Sequence, residues 1–119
     1  MSTLRELRPT YATIDLDRFA HNVDVIGRLL PEGARLVAVL KADGYGHGAV
    51  ELAKRLTPDR VAMIAVALLE EAIELRRASI TLPILLLGPI SRDQISIALD
   101  RCAGDVGRAA RRTHAAGRR

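Results

Sequence analysis

The sequence predicts a parallel α/β sheet made of three strand-helix units, and three features carry that reading. Short, continuous apolar runs alternate with longer stretches whose apolar residues recur every three or four positions. Each run is too short for an independent helix and rich in Val, Ile and Leu, the pattern of a strand buried on both faces. Pro, Gly and Asp punctuate the joints between units.

The first stretch, Tyr11-Ala12-Thr13-Ile14-Asp15-Leu16, alternates apolar with small or polar residues after Pro9 and predicts an extended segment with one buried face. Asp17 is placed to cap the helix that follows. Its apolar stripe is Phe19, Val23, Ile26 and Leu30, ended by Pro31 and Gly33. Leu36 to Leu40 is the first strand. Lys41 to Gly48 is a glycine-rich connection, after which Ala49, Leu52, Ala53 and Leu56 resume helical spacing. Thr57-Pro58-Asp59 breaks the pattern before the second strand, Val61 to Val66. Leu69, Ala72, Ile73 and Leu75 then mark a helix whose exposed side carries Glu70, Glu71, Glu74, Arg76 and Arg77. Pro83 precedes the third strand, Ile84 to Leu87, and Ser91 caps a weaker helix holding Ile95, Ala98 and Leu99. Beyond Asp100 the apolar period stops. Residues 1–100 are therefore expected to fold, and residues 101–119 to form a disordered, Arg-rich tail.

Composition narrows the function classes. The chain has 119 residues, 49% apolar, 27% charged and 3% aromatic, enough for one domain with one core. Its net charge of +4 is unevenly placed: residues 1–100 hold 12 Lys and Arg against 13 Asp and Glu, while residues 101–119 hold 6 Arg against Asp105 alone. The part expected to fold is thus slightly acidic and poor in aromatics, which argues against a nucleic-acid domain. A single cysteine excludes an internal disulfide and fits a reducing, cytoplasmic setting. Met1 to Arg8 carries mixed charge with no apolar run after it, so no secretory signal is expected, and the stretch from Leu82 to Ile90, interrupted by Pro83, Gly88 and Pro89, is far shorter than the ~20 residues that span a bilayer. His21, Cys102 and His114 lack metal-ligand spacing, so no metal site is expected. His47 reads as a surface turn residue.

The chemistry points to the first connection. In a parallel sheet, ligands bind beyond the carboxyl ends of the strands, and residues 41–48 occupy that place. Lys41 directly follows the first strand, where partial desolvation makes an amine a nucleophile toward carbonyl groups; a solvated lysine opening a loop is the plain alternative. Gly44, Gly46 and Gly48 permit positive φ, and the last lies at a helix N-terminus whose N–H groups would favour an anion such as phosphate. A flexible loop that needs glycine for its turn accounts for the same pattern. The spacing matches neither the P-loop nor the dinucleotide fingerprint.

Ala38-Val39-Leu40-Lys41-Ala42-Asp43-Gly44-Tyr45-Gly46-His47-Gly48-Ala49 resembles the pyridoxal-phosphate signature of alanine racemases. The resemblance extends through Arg8-Pro9-Thr10-Tyr11-Ala12, Ile14-Asp15-Leu16 and His21-Asn22 before it, and Glu70-Glu71-Ala72 and Pro83-Ile84-Leu85 after it. It covers about residues 8–90. Related pyridoxal-phosphate barrels, such as amino-acid decarboxylases, share a lysine after the first strand but lack the Tyr45-Gly46-His47-Gly48 continuation.

The resemblance implies the start, about three βα units, of a (β/α)8 TIM-type barrel, an enzyme type that runs to roughly 250 residues in the barrel alone. It implies pyridoxal 5'-phosphate as cofactor, L- and D-alanine as substrates, D-alanine supply to the cell wall, and a homodimer whose sites use both subunits. By position, Lys41 would carry the cofactor and act as the base on the D-alanine side, and Tyr45 would hydrogen-bond the cofactor phosphate. The opposite base in that family is a partner-subunit tyrosine from a C-terminal domain that this sequence does not match. A truncated and inactive racemase is therefore expected, the alternative being a non-catalytic cofactor-binding or interaction fragment. The tail resembles no part of the family, and its Arg, Ala and Gly bias is what a shifted reading frame in GC-rich DNA produces. Two local departures stand out: Leu68-Leu69 replaces a capping hydroxyl before Glu70, and Ser79 stands where a helix-ending glycine is usual.

Overall fold

A computed structural model describes residues 10–102 of the chain. Its elements run α1 (Leu16–Leu29), β1 (Val37–Val39), α2 (Lys41–Tyr45), α3 (Ala49–Ala53), β2 (Met63–Val66), α4 (Leu69–Arg77), β3 (Ile84–Leu86) and α5 (Arg92–Cys102). The three strands form one parallel sheet in the order β1-β2-β3. Val39 pairs with Ala65, and Ala65 with Leu85, so the expected α/β alternation is the observed one.

Side-chain alternation divides the sheet into two unlike faces. Leu40, Ile64, Val66 and Ile84 turn to the helical side, where they meet Leu52, Leu56, Leu69, Ala72 and Leu75 in a single core. The opposite face carries Val37, Val39 and Leu85, which are 43%, 39% and 43% exposed. The expectation of strands buried on both faces therefore holds for β2, whose neighbours cover it, and fails for β1 and β3. Among the described residues no second layer lies on that face.

The first segment also departs from expectation. Residues 11–15 form no strand and are exposed. Asp15 rather than Asp17 caps α1, its carboxylate accepting from the Arg18 N–H at 2.9 Å, so the helix starts two residues early. Phe19 and Val23 pack on the core as the stripe requires, but Ile26 is exposed because α1 meets the rest of the fold mainly through α3. The Ser91 cap is present as a reciprocal box: Ser91 N–H donates to Gln94 Oε1 at 2.9 Å and Gln94 N–H to Ser91 Oγ at 3.3 Å. α5 then continues through Arg101 to Cys102, which is buried in the core. The rest of the expected tail, residues 103–119, lies outside the described residues.

Two helix ends show where sequence and backbone meet. Ser79 takes φ +63° just past α4, and Ile80 N–H donates to Leu75 O at 3.1 Å while Ser79 N–H donates to Arg76 O at 2.9 Å. This is a Schellman closure with a serine at the position that favours glycine. Arg76, expected on the exposed side, instead turns inward. Its Nη1 donates to Ile80 O at 2.6 Å and Leu82 O at 2.8 Å, and its Nε to Cys102 O at 3.4 Å, tying α4 to the lead into β3 and to the end of α5.

Candidate functional site

Lys41 stands at the carboxyl end of β1, where the last ladder bond, Leu40 N–H to Ala65 O at 2.9 Å, gives way to a turn. It is half-buried, between the fully solvated lysine and the desolvated nucleophile that its position allows. Lys54, the chain's other lysine, pairs with Glu51 at 2.7 Å on the surface of α3 and beyond.

The connection after Lys41 is not a loose loop. Ala42, Asp43 and Gly44 adopt φ of 52°, 55° and 63° with ψ of 48°, 43° and 38°, and Tyr45 follows at φ 57°. Four consecutive residues in this region make one left-handed turn, which costs a residue with a Cβ roughly 1–2 kcal/mol. Gly44 is the member that only glycine fits well. It is buried, and a Cβ there would lie 2.8 Å from Leu52 Cδ1 as well as carrying the conformational cost. Such strain persists only where surrounding bonds over-determine it.

Those bonds are numerous. Within the turn, Gly44 N–H donates to Leu40 O at 2.9 Å, Gly46 N–H to Ala42 O at 3.1 Å and Gly48 N–H to Asp43 O at 2.9 Å. Asp43 Oδ1 accepts from Ala49 N–H at 2.9 Å, and His47 Nδ1 lies 3.0 Å from Gly44 O, an acceptor that requires the proton on that nitrogen. From outside, Glu71 Oε1 accepts from Ala42 N–H at 2.6 Å, while its Oε2 accepts from Ala67 and Leu68 N–H at 2.8 and 2.9 Å. Burial pushes the Glu71 carboxyl upward, yet the Leu68, Ala42 and Ala67 N–H groups and the Lys41 charge together hold it below the ordinary glutamate range.

Two site expectations change in consequence. The N–H groups of Gly46, His47, Gly48 and Ala49 are all taken within the turn, so Asp43 occupies the first N–H of α3, one that the glycine spacing had offered to an anion. Glu71, expected on the exposed face of α4, is instead the carboxylate that joins this turn to the end of β2. The signal for it was present in the sequence: Glu71 is the third residue of α4, the position from which a glutamate reaches back to the helix start when the cap itself, here Leu68, has no hydroxyl.

Tyr45 sits at the end of the turn, 60% exposed, and lines a recess of about 260 Å³ together with Ile14, Phe19, Val39, Leu40, His47 and Leu52 among others. Lys41 does not line that recess. A larger one, of about 400 Å³, lies at the amino ends of the strands around Arg28, Arg35 and Arg60, away from the turn. The smaller recess lies at the carboxyl end of β1 but does not include Lys41, so the reactive groups rather than the hollows mark the candidate site. Among the described residues, no His, Cys, Asp and Glu cluster is arranged to hold a metal ion, and no helix is long and apolar enough to cross a membrane.

Comparison with known proteins agrees with the geometry. Residues 14–106 match the family model for the alanine racemase N-terminal domain. The chain is 47% identical over 92 residues to an alanine racemase of Desulforamulus reducens, covering 77% of this chain and 25% of that protein. It is 51% identical over 81 residues to one of Desulfovibrio desulfuricans, covering 68% of this chain and 22% of that protein. Among solved structures, an alanine racemase of Clostridium difficile 630 in complex with cycloserine superposes with a TM-score of 0.72 at 45% identity, over 79% of this chain and 25% of that one. The chain thus spans about a quarter of the length of the curated relatives it matches. A parallel three-stranded sheet of this topology, a lysine opening a strained turn at its carboxyl edge, and a match across residues 14–106 place the chain in the alanine racemase family, over that family's N-terminal domain.

Proposed function

We propose that the chain is the cofactor-lysine segment of a cytoplasmic, homodimeric racemase that interconverts L-alanine and D-alanine with pyridoxal 5'-phosphate and so supplies D-alanine to the cell wall. The observation that carries this reading is Lys41: a half-buried primary amine at the carboxyl edge of a parallel sheet, with its following peptide fixed by a carboxylate. The residues present fit the cofactor in their chemistry. An amine for the aldehyde and a phenol for the phosphate, Lys41 and Tyr45, flank one rigid turn. The N–H groups of Gly46, His47, Gly48 and Ala49 are already used within the turn.

When bound, the cofactor supplies a conjugated ring that takes up the electron pair left as an α-proton departs. Lys41 Nζ would hold the cofactor, and as a free amine it would be the base that takes or returns the α-proton on the D-alanine side. Tyr45 would donate a hydrogen bond from its hydroxyl to the cofactor phosphate. Asp43 and Glu71 touch neither group; they hold the turn from which both project.

A second reading is favoured by the open sheet face that exposes Val37, Val39 and Leu85: a segment that holds the cofactor but turns over nothing. Treating the purified chain with pyridoxal phosphate, reducing with borohydride and mapping the adduct by peptide mass tests the shared step. The chain has two lysines, so Lys54 is an internal control. Adduct at Lys41, lost in Lys41→Ala, supports both readings, and equal labelling of the two lysines refutes both. Exchange of the alanine α-proton with solvent deuterium occurs only under the first.

A further inference from the structure

We infer that Glu71 is a positioning residue for Lys41, the carboxylate that fixes the peptide leaving the lysine against the end of the neighbouring strand. This rests on the cofactor role of Lys41 proposed above. The N–H bound by Glu71 Oε1 belongs to Ala42, so the plane held at 2.6 Å is the Lys41–Ala42 peptide itself. Fixing that plane fixes ψ of Lys41, and with it the origin of the lysine side chain. The other oxygen binds Ala67 and Leu68, the two residues that follow β2.

The arrangement continues the sheet where the ladder stops. Backbone pairing between β1 and β2 ends with Leu40 N–H to Ala65 O. Beyond it the chain enters a left-handed turn, and no carbonyl of β2 can follow it there. One carboxylate with two oxygens spans the gap, across 29 residues of sequence, through three charge-assisted hydrogen bonds. Glutamine cannot replace it: its amide has one acceptor oxygen, and the NH2 group would face an N–H donor on one side or the other. Aspartate is one methylene too short to reach both strands from the third position of α4.

The experiment uses the full chain and the variants Glu71→Gln, Glu70→Gln and Lys41→Ala. Glu70 neighbours Glu71 on α4, is exposed and makes none of these bonds, so Glu70→Gln removes the same charge without touching the turn. The readouts are the ratio of Lys41 to Lys54 adduct after treatment with pyridoxal phosphate and borohydride, and amide hydrogen exchange at Ala42, Leu68, Ile64 and Leu75. Glu71→Gln is expected to raise exchange at Ala42 and Leu68 by about tenfold or more and to lower the Lys41 to Lys54 ratio several-fold. Glu70→Gln is expected to change neither. An unaltered ratio in Glu71→Gln overturns the inference. So does an equal rise of exchange at Ile64 and Leu75, because Glu71 would then support the whole fold rather than the turn. If the unsubstituted chain shows no preference for Lys41, the cofactor reading fails by itself. Exchange at Ala42 then decides whether Glu71 holds the lysine's peptide: no change in Glu71→Gln overturns that as well.

Discussion

Replacing Ser79 with glycine should stabilise the protein, against the usual direction of a glycine substitution. Ser79 lies at φ +63° in the closure of α4, and its side chain is exposed, so the change removes no packing. Relieving the left-handed conformation of a residue with a Cβ returns roughly 1–2 kcal/mol. The greater freedom of glycine in the unfolded chain takes back about 0.4–1 kcal/mol. The balance is a gain of ~0.5–1 kcal/mol, which for a domain of this size raises the melting temperature by about 2–8 °C. Both closing hydrogen bonds, Ile80 N–H to Leu75 O and Ser79 N–H to Arg76 O, involve backbone alone and survive the substitution. Thermal unfolding followed by far-ultraviolet circular dichroism measures the shift. Ser79→Ala, which keeps a Cβ at the same φ, serves as the control and should stay within about 0.5 kcal/mol of the parent. A glycine variant that melts with or below the parent would refute the argument, since the αL conformation would then carry no strain to relieve.

At Gly88 the opposite sign is expected. A Cβ there would meet Ala67 O at 2.5 Å, a backbone atom that cannot rotate aside, so Gly88→Ala should cost about 1–3 kcal/mol in denaturant unfolding. Glu71 makes stability depend on pH. Its folded carboxyl titrates below the unfolded value of 4.5, so the unfolded chain binds the proton more readily and stability rises with pH through that region. The Glu71 contribution is complete above the unfolded value and disappears as pH falls through the folded one; unfolding curves for Glu71→Gln should lack this part of the acid slope. Burial raises the pKa of the Cys102 thiol against the opposing charge of Arg76. A disulfide reagent should therefore react with the native chain ~10-fold or more slowly than with the chain in guanidinium.

The sequence by itself determined the architecture. Alternating apolar runs and helical stripes predicted a parallel α/β sheet, and the strands were legible to within two residues because apolar periodicity is a local record of which side of the chain is buried. Lys41 and Tyr45 stand out in the sequence as members of a contiguous motif, which needs no knowledge of what lies across the fold. The Ser91 cap was readable for the same reason, its partner Gln94 being three residues away.

Only the tertiary structure decided what holds the lysine. The sequence showed glycines and allowed a flexible loop; the fold made a left-handed turn of Ala42, Asp43, Gly44 and Tyr45, three of which are not glycine and are held there by bonds rather than by preference. Asp43 took the Ala49 N–H, the first of the helix start that glycine spacing had offered to phosphate. Glu71 passed for one more charge on a solvated helix face because its decisive partner, Ala42, is 29 residues earlier in the chain. The same limit applies to the sheet: apolar runs show that Val37, Val39 and Leu85 are suited to burial, while whether anything covers them depends on the layers that the rest of the chain brings to that face. Periodicity reports what a residue prefers. The partners of a carboxylate or of a strand face are set by which segments fold beside it, and that is a property of three-dimensional packing alone.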